Sequence, residues 1–238
     1  MHLTTPAIIC ALLAHGENGA VVRFLTPDHG LVAGYVHGGR SRRLRPVLQA
    51  GNGVDLRLDA RTENQLAVAS VELTSSRAAL ATTSVALAAL DWLTALTATA
   101  LSESVPHPAL YTALDALTAA IAAGAGALPL GEGIVRYELL MLTELGFGLD
   151  LSVCALTGTT DDLAFASPRT GRAVCRAAAE PYRGRLLTLP AFLVGPATAD
   201  NAEIVEGLRL SRHFLERHVL QGRHELVVAR RRLADRWR

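Results

Sequence analysis

Five short apolar segments crowd the first 75 residues of the chain, and glycine-bearing turns separate most of them. They run over residues 7–13, 20–25, 31–36, 54–58 and 65–73. Glu17-Asn18-Gly19 and Pro27-Asp28-His29-Gly30 are turn signals, and Gly51-Asn52-Gly53 is another. In the fourth segment Val54, Leu56 and Leu58 alternate with Asp55, Arg57 and Asp59, the period-two pattern of a half-buried strand. Five such strands in so short a stretch match a small OB-type barrel. Few other folds accommodate that pattern.

At Thr74-Ser75-Ser76, side chains suited to cap a helix follow the last strand. A helix is predicted from there to about residue 101. Pro106-His107-Pro108 breaks it and starts a second helix to about 123, and Gly124-Ala125-Gly126 ends that one. A third helix is predicted over 133–145, stopped by Gly146, with Ile134, Tyr137, Leu140, Met141 and Leu145 on one face. Residues 150–195, punctuated by Gly158, Pro168, Gly171, Pro181 and Pro190, read as a loop-rich insertion. Helical character returns near Asp200 and Asn201, with Glu203 and Glu206 in the first turn, and continues to about 220. A last helix or extended tail covers 225–237. The expected organisation is α+β and multidomain. Residues 1–75 are expected to form a five-stranded OB-fold barrel. Residues 76–238 are expected to form a mostly α-helical domain carrying the insertion.

All 23 basic residues are arginine, and the formal net charge is only +1. The distribution is more telling. Residues 76–150 hold two Arg against seven acids, whereas 201–238 hold nine against five. Within the N-terminal part, Gly38-Gly39-Arg40-Ser41-Arg42-Arg43-Leu44-Arg45 places four arginines in six residues with no acid among them. Guanidinium groups are planar forks suited to phosphate. On a loop between the third and fourth strands of a barrel they predict sequence-blind, salt-sensitive contact with a polyanion. Tyr35, just before them, offers a ring on which a base stacks, although a tyrosine there also serves as a rim aromatic. The C-terminal basic run comprises Arg209, Arg212, Arg217, Arg223, Arg230, Arg231, Arg232, Arg236 and Arg238. It suits an extension of the same track, an acidic protein tail or a solvated face equally well; Glu216 interrupts the stripe begun by Arg209 and Arg212.

Enzymatic classes find no support. His15, His29 and His37 fall in the N-terminal part, but no nucleophile motif or His-Glu-x-x-His accompanies them, and a P-loop needs a lysine this chain lacks. No cofactor is expected. The three cysteines, Cys10, Cys154 and Cys175, are too few for a disulfide framework. Nothing at the N-terminus reads as a secretion signal, and the Ala/Leu-rich run at 85–101 is too short and too polar to span a membrane, so a cytoplasmic location is expected.

Three segments in this order resemble the RecO family. The stretch from residue 7 through Leu31-Val32-Ala33-Gly34-Tyr35-Val36-His37-Gly38-Gly39-Arg40-Ser41-Arg42 is similar to that family's third strand and basic loop. Arg136-Tyr137-Glu138-Leu139-Leu140-Met141-Leu142-Thr143-Glu144-Leu145-Gly146-Phe147-Gly148 is similar to its helix ending in a leucine-glycine-aromatic-glycine turn, with Cys154 soon after. Ser211-Arg212-His213-Phe214-Leu215 through Leu220-Gln221-Gly222-Arg223 resembles its last long helix and basic continuation. The resemblance implies a DNA repair and recombination mediator active at the nucleoid. Such a protein binds single- and double-stranded DNA, anneals complementary strands, partners RecR, engages the acidic tail of single-stranded DNA-binding protein, and helps load RecA. The nucleic-acid-binding residues it points to are Arg40, Arg42, Arg43, Arg45 and Tyr35, with Arg212, Arg217 and Arg223. Some family members carry a four-cysteine zinc module. Here Thr157 and Ala178 stand where two of those thiols would be, so Cys154 and Cys175 read as remnants of a zinc pattern in a cysteine-poor insertion, and no metal is expected. An RNA-binding or ribosome-associated OB protein, or a purely protein-binding scaffold, remains compatible with the residues alone.

Overall fold

The computed structural model describes residues 2–60 and 65–237. The chain packs as two compact units, Met1–Ala125 and Gly126–Arg238.

The first unit is built on five strands: β1 (His2–His15), β2 (Gly19–Thr26), β3 (Gly30–Val36), β4 (Gly53–Asp59) and β5 (Ala67–Ser75). They close into a barrel in the order β1-β2-β3-β5-β4. Strand β1 makes closure possible. Its first half, from His2 to Ile8, pairs with β4, and its second half, from Ile8 to His15, pairs with β2. A register shift between Ile9 and Ala11 bends the strand between the two partners. The parallel β3–β5 pairing completes the ring. Alternation then sorts the side chains. Ala7, Ile9, Ala20, Val22, Phe24, Val32, Val36, Val54, Leu56, Leu58, Ala67 and Ala69 fill the interior, and the residues between them face outwards.

Two helices follow in the same unit, α1 (Ser84–Ala100) and α2 (Pro108–Ala122). The expected cap at 74–76 is not where the helix starts. Ser75 still pairs with Gly53 in the barrel ladder, and the next backbone N–H groups, of Arg77 and Ala78, donate to the buried side-chain oxygen of Asn52 at 2.9 and 3.0 Å. A single 3₁₀ turn intervenes at Ala78–Leu80. Helix α1 begins only after Thr83, whose hydroxyl accepts from the Ala86 N–H.

In the second unit, α3 (Ala127–Glu144) begins six residues earlier than its glycines suggest. Pro129 lies in the first turn, where a missing N–H costs little. Gly131 is needed because a β-carbon there would run into Ile204. The insertion contains a small sheet of order β7-β6-β8, made of β6 (Leu163–Ala166), β7 (Ala173–Cys175) and β8 (Leu187–Thr188), and a short helix α4 (Arg176–Ala179). Helix α5 (Asn201–His218) is capped by Asp200 rather than Asn201, in a capping box where Asp200 and Glu203 each bond the other's backbone N–H. Helix α6 (His224–Ala234) ends the fold together with a 3₁₀ turn at Asp235–Trp237. Among the described residues no helix is long and apolar enough to cross a membrane.

Candidate nucleic-acid interface

The arginine-rich segment is an anchored loop. Gly38 takes φ +63°, a conformation that disfavours a side chain, so the chain turns sharply as it leaves β3. The Gly39 N–H donates to the Val36 carbonyl at 3.3 Å and the Arg40 N–H to the Asn18 carbonyl at 3.2 Å, tying the loop to the β1–β2 turn. Ser41 then nucleates one helical turn: its hydroxyl accepts from the Leu44 N–H and its carbonyl from the Arg45 N–H. Leu48 sits in the barrel core, with Leu44 and Val47 partly buried against it. The side-chain amide of Asn52 donates to the carbonyls of Pro46 and Val47, both at 3.0 Å. Apolar and amide anchors thus fix the backbone. Arg40, Arg42, Arg43 and Arg45 are all exposed, and none of the four forms an ion pair among the described residues. Among the described residues, Arg40 alone of the four makes an internal side-chain bond, donating to the Glu17 carbonyl at 3.2 Å.

Tyr35 is half-buried on the outer face of β3. Its phenol occupies the space that a β-carbon at Gly19 would need. Two histidines flank it edge-to-face: His15 with ring centroids 5.7 Å away, and His37 at 4.8 Å. Motif reasoning weighed these histidines only as catalytic candidates. The i, i+2 spacing of Tyr35 and His37 was the signal that they share a strand face.

The C-terminal arginines divide sharply. Arg212 donates to Glu216 at 2.7 Å. Arg217 donates to the carbonyls of Pro168 and Arg169 at 3.0 and 3.3 Å, bracing that loop against α5. Arg223 is half-buried and forms no ion pair among the described residues. Arg209 lies 3.8 Å from Glu206. Arg230 is not part of any basic surface. It is 3 % exposed and grips the fully buried Glu138 through two bonds of 2.9 and 2.7 Å. Arg231, Arg232 and Arg236 remain exposed, and Arg238 lies outside the described residues.

Cys154 and Cys175 are brought together. The Cys175 N–H donates to the Cys154 sulfur at 3.3 Å, and the Thr157 hydroxyl lies 3.6 Å from the Cys175 sulfur. Burial pushes the Cys154 thiol up, but the N–H of Cys175, the Thr157 hydroxyl and the N–H groups of Leu156 and Thr157 outweigh it and bring its pKa down to about 6. Both cysteines are buried with Val174 and Ala179, and Ala178 packs against this cluster. Two thiols with a hydroxyl and a methyl do not supply the four soft donors of a structural zinc site. Among the described residues no group of three or more His, Cys, Asp or Glu side chains could hold a metal ion.

A closed barrel of this strand order, followed along the chain by a helical body, defines an OB-type protein of two parts. Comparison with known proteins narrows the class. The family model described as Recombination protein O N terminal matches residues 1–77, and that described as Recombination protein O C terminal matches residues 81–226. The DNA repair protein RecO of Rhodospirillum centenum is 48 % identical over 242 residues, covering all of this chain and 95 % of the relative. That of Phenylobacterium zucineum is 46 % identical over 218 residues, covering 91 % and 88 %. That of Rhodospirillum rubrum is 46 % identical over 238 residues, covering 97 % and 94 %. The chain belongs to the RecO family of DNA repair proteins and has that family's role in DNA repair and recombination.

Proposed function

We propose that this chain is a non-catalytic recombination mediator that holds DNA on its barrel. Arg40, Arg42, Arg43 and Arg45 grip phosphates of single- or double-stranded DNA, with Tyr35 beside them. The observation that carries this reading is the loop itself: four exposed guanidinium groups without acidic partners among the described residues, on a backbone fixed by Leu44, Leu48 and Asn52. Two complementary strands held on one cationic surface repel each other less, which favours annealing. No bond is made or broken, and the reading requires no catalytic residue or cofactor.

In the cell the protein works in the cytoplasm at the nucleoid. It acts with RecR to place RecA on DNA coated by single-stranded DNA-binding protein. The acidic tail of that coat protein meets the basic C-terminal part. Arg223 is the readiest of the three arginines there, because Arg212 must first exchange Glu216 and Arg217 the carbonyls it braces.

Annealing of complementary oligonucleotides tests the loop. The variant Arg40→Ala/Arg42→Ala/Arg43→Ala/Arg45→Ala is expected to slow duplex formation by about tenfold or more near 50 mM salt, because each lost phosphate contact forfeits the counterion release that drives binding at low salt. Wild-type annealing rates at both low and moderate salt would overturn the assignment.

A further inference from the structure

The His15–Tyr35–His37 cluster is not accounted for by phosphate binding. Register places it on one outer face. Leu13 pairs with Val21, Val21 with Tyr35, and Tyr35 with Val68, so these four form a row across β1, β2, β3 and β5. His15 pairs with Gly19 in the next row, and His37 follows Tyr35 on the same side. The intervening residues Ala20, Val22 and Val36 point into the core, which fixes this row as external. Leu13 is 61 % exposed and Val68 40 %, with Leu66 at 44 % beside them. A lone exposed leucine calls for no explanation. A contiguous apolar patch around three packed rings does.

The cluster is also built. Gly19 leaves the room that the Tyr35 phenol fills. The ring planes stand nearly perpendicular, at 81° for His15 and 87° for His37. Both imidazoles are exposed. Arg40 is bonded through its backbone to Asn18 and through its side chain to Glu17, in the turn that joins His15 to Gly19. Rings and guanidinium groups therefore adjoin. A ligand that matches both must present flat aromatic units on an anionic chain. Single-stranded nucleic acid does so; a duplex hides its base faces in the stack.

We propose that His15, Tyr35 and His37 form a base-stacking site for single-stranded DNA, with the adjoining arginine loop holding the phosphates on either side. This rests on the reading of the barrel as the DNA-binding part. It adds His15 and His37 to the binding residues and makes unpaired strands the ligand of this face.

The test is an anisotropy titration of the full chain with labelled oligo(dT), an abasic oligodeoxynucleotide of equal length, and oligo(U). Wild type is expected to bind oligo(dT) more tightly than the abasic strand and at least as tightly as oligo(U). His15→Ala/His37→Ala is expected to weaken oligo(dT) by about tenfold, the scale of one or two lost stacking contacts, and to leave the abasic strand within about twofold. Tyr35→Phe, which keeps the ring, is expected to bind oligo(dT) as wild type does. Equal losses on both DNA strands would make the histidines phosphate ligands and overturn the proposal, as would undiminished oligo(dT) binding. Tighter oligo(U) binding would overturn DNA as the occupant. The four-arginine variant separates this from the broader reading: if it weakens both DNA strands while the histidine variant weakens neither, only the stacking site fails. If neither variant weakens any strand, both readings fail. Unaltered melting temperatures of the histidine variant exclude misfolding.

Discussion

Arg230 and Arg231 are neighbours in the same basic run, yet one lies inside the protein and the other on its surface. Arg230 donates Nε and Nη2 to the two carboxylate oxygens of Glu138, and Nη2 also to the Leu208 carbonyl and the Ser211 hydroxyl. The Ser211 hydroxyl in turn donates to Glu138 and lies 3.0 Å from the Gly207 carbonyl. One guanidinium thus joins α3, α5 and α6. Removing it takes the compensating positive charge from a carboxylate that is 0 % exposed. Arg230→Met is therefore expected to lower the unfolding free energy by about 3–5 kcal/mol, whereas Arg231→Ala stays within about 0.5 kcal/mol of wild type. Urea unfolding of the two variants checks this, and equal stabilities would refute the buried network. Sequence alone does not separate the pair. The residues differ by one helical step of about 100°, and the acid that claims Arg230 lies 92 positions away. The loop arginines were more legible, because four bases without a neighbouring acid leave no local partner to neutralise them.

At the level of elements, turn chemistry carried the barrel. Strands expected at 20–25, 31–36 and 54–58 are observed as Gly19–Thr26, Gly30–Val36 and Gly53–Asp59. Strand β1 runs far beyond the expected 7–13, because Pro6 reads as a breaker while the actual strand pairs with two partners in succession. The start of α1 was misplaced because Asn52, distant in sequence, accepts from the backbone N–H groups of Arg77 and Ala78 that follow Ser75 and Ser76. The small sheet was invisible as strands, since its members are two to four residues long; beside it, the turn after Cys154 meets Cys175 on β7. That turn has a measurable signature. Folded Cys154 loses its proton near pH 6, an unfolded thiol only near about 8.5. Its folded pKa is depressed, so its stabilisation is complete above the unfolded value and disappears as pH falls towards 6. The melting-temperature gap between wild type and Cys154→Ala is expected to shrink steadily from pH 9 to pH 6.5. A gap independent of pH would show that the thiolate donors do not stabilise this module. Cys10 does not contribute a confounding slope in that comparison: it is present in both proteins, and burial pushes it up to about 12.

For the molecule as a whole, a formal charge of +1 means that attraction to a polyanion cannot come from net charge. It has to come from where the arginines stand. The helix-bearing middle of the sequence is acidic, and α5 offsets Arg209 and Arg212 with Glu206 and Glu216. Arg217 braces a loop and Arg230 is buried. The anchored loop concentrates four exposed arginines within six residues, while Arg231, Arg232 and Arg236 are the exposed arginines at the C-terminal end. Counterion release turns that distribution into a number: for single strands, log K against log salt steepens by about 0.7 for each phosphate neutralised. Removing all four loop arginines is expected to flatten the slope for oligo(dT) by up to about 3. Removing Arg212 and Arg217 should change it by less than about 1, since both are already engaged internally. Titrations between 50 and 200 mM salt, the span over which such slopes are resolved, make the comparison. A larger change from the α5 pair than from the loop would move the principal phosphate track off the barrel and onto the C-terminal unit.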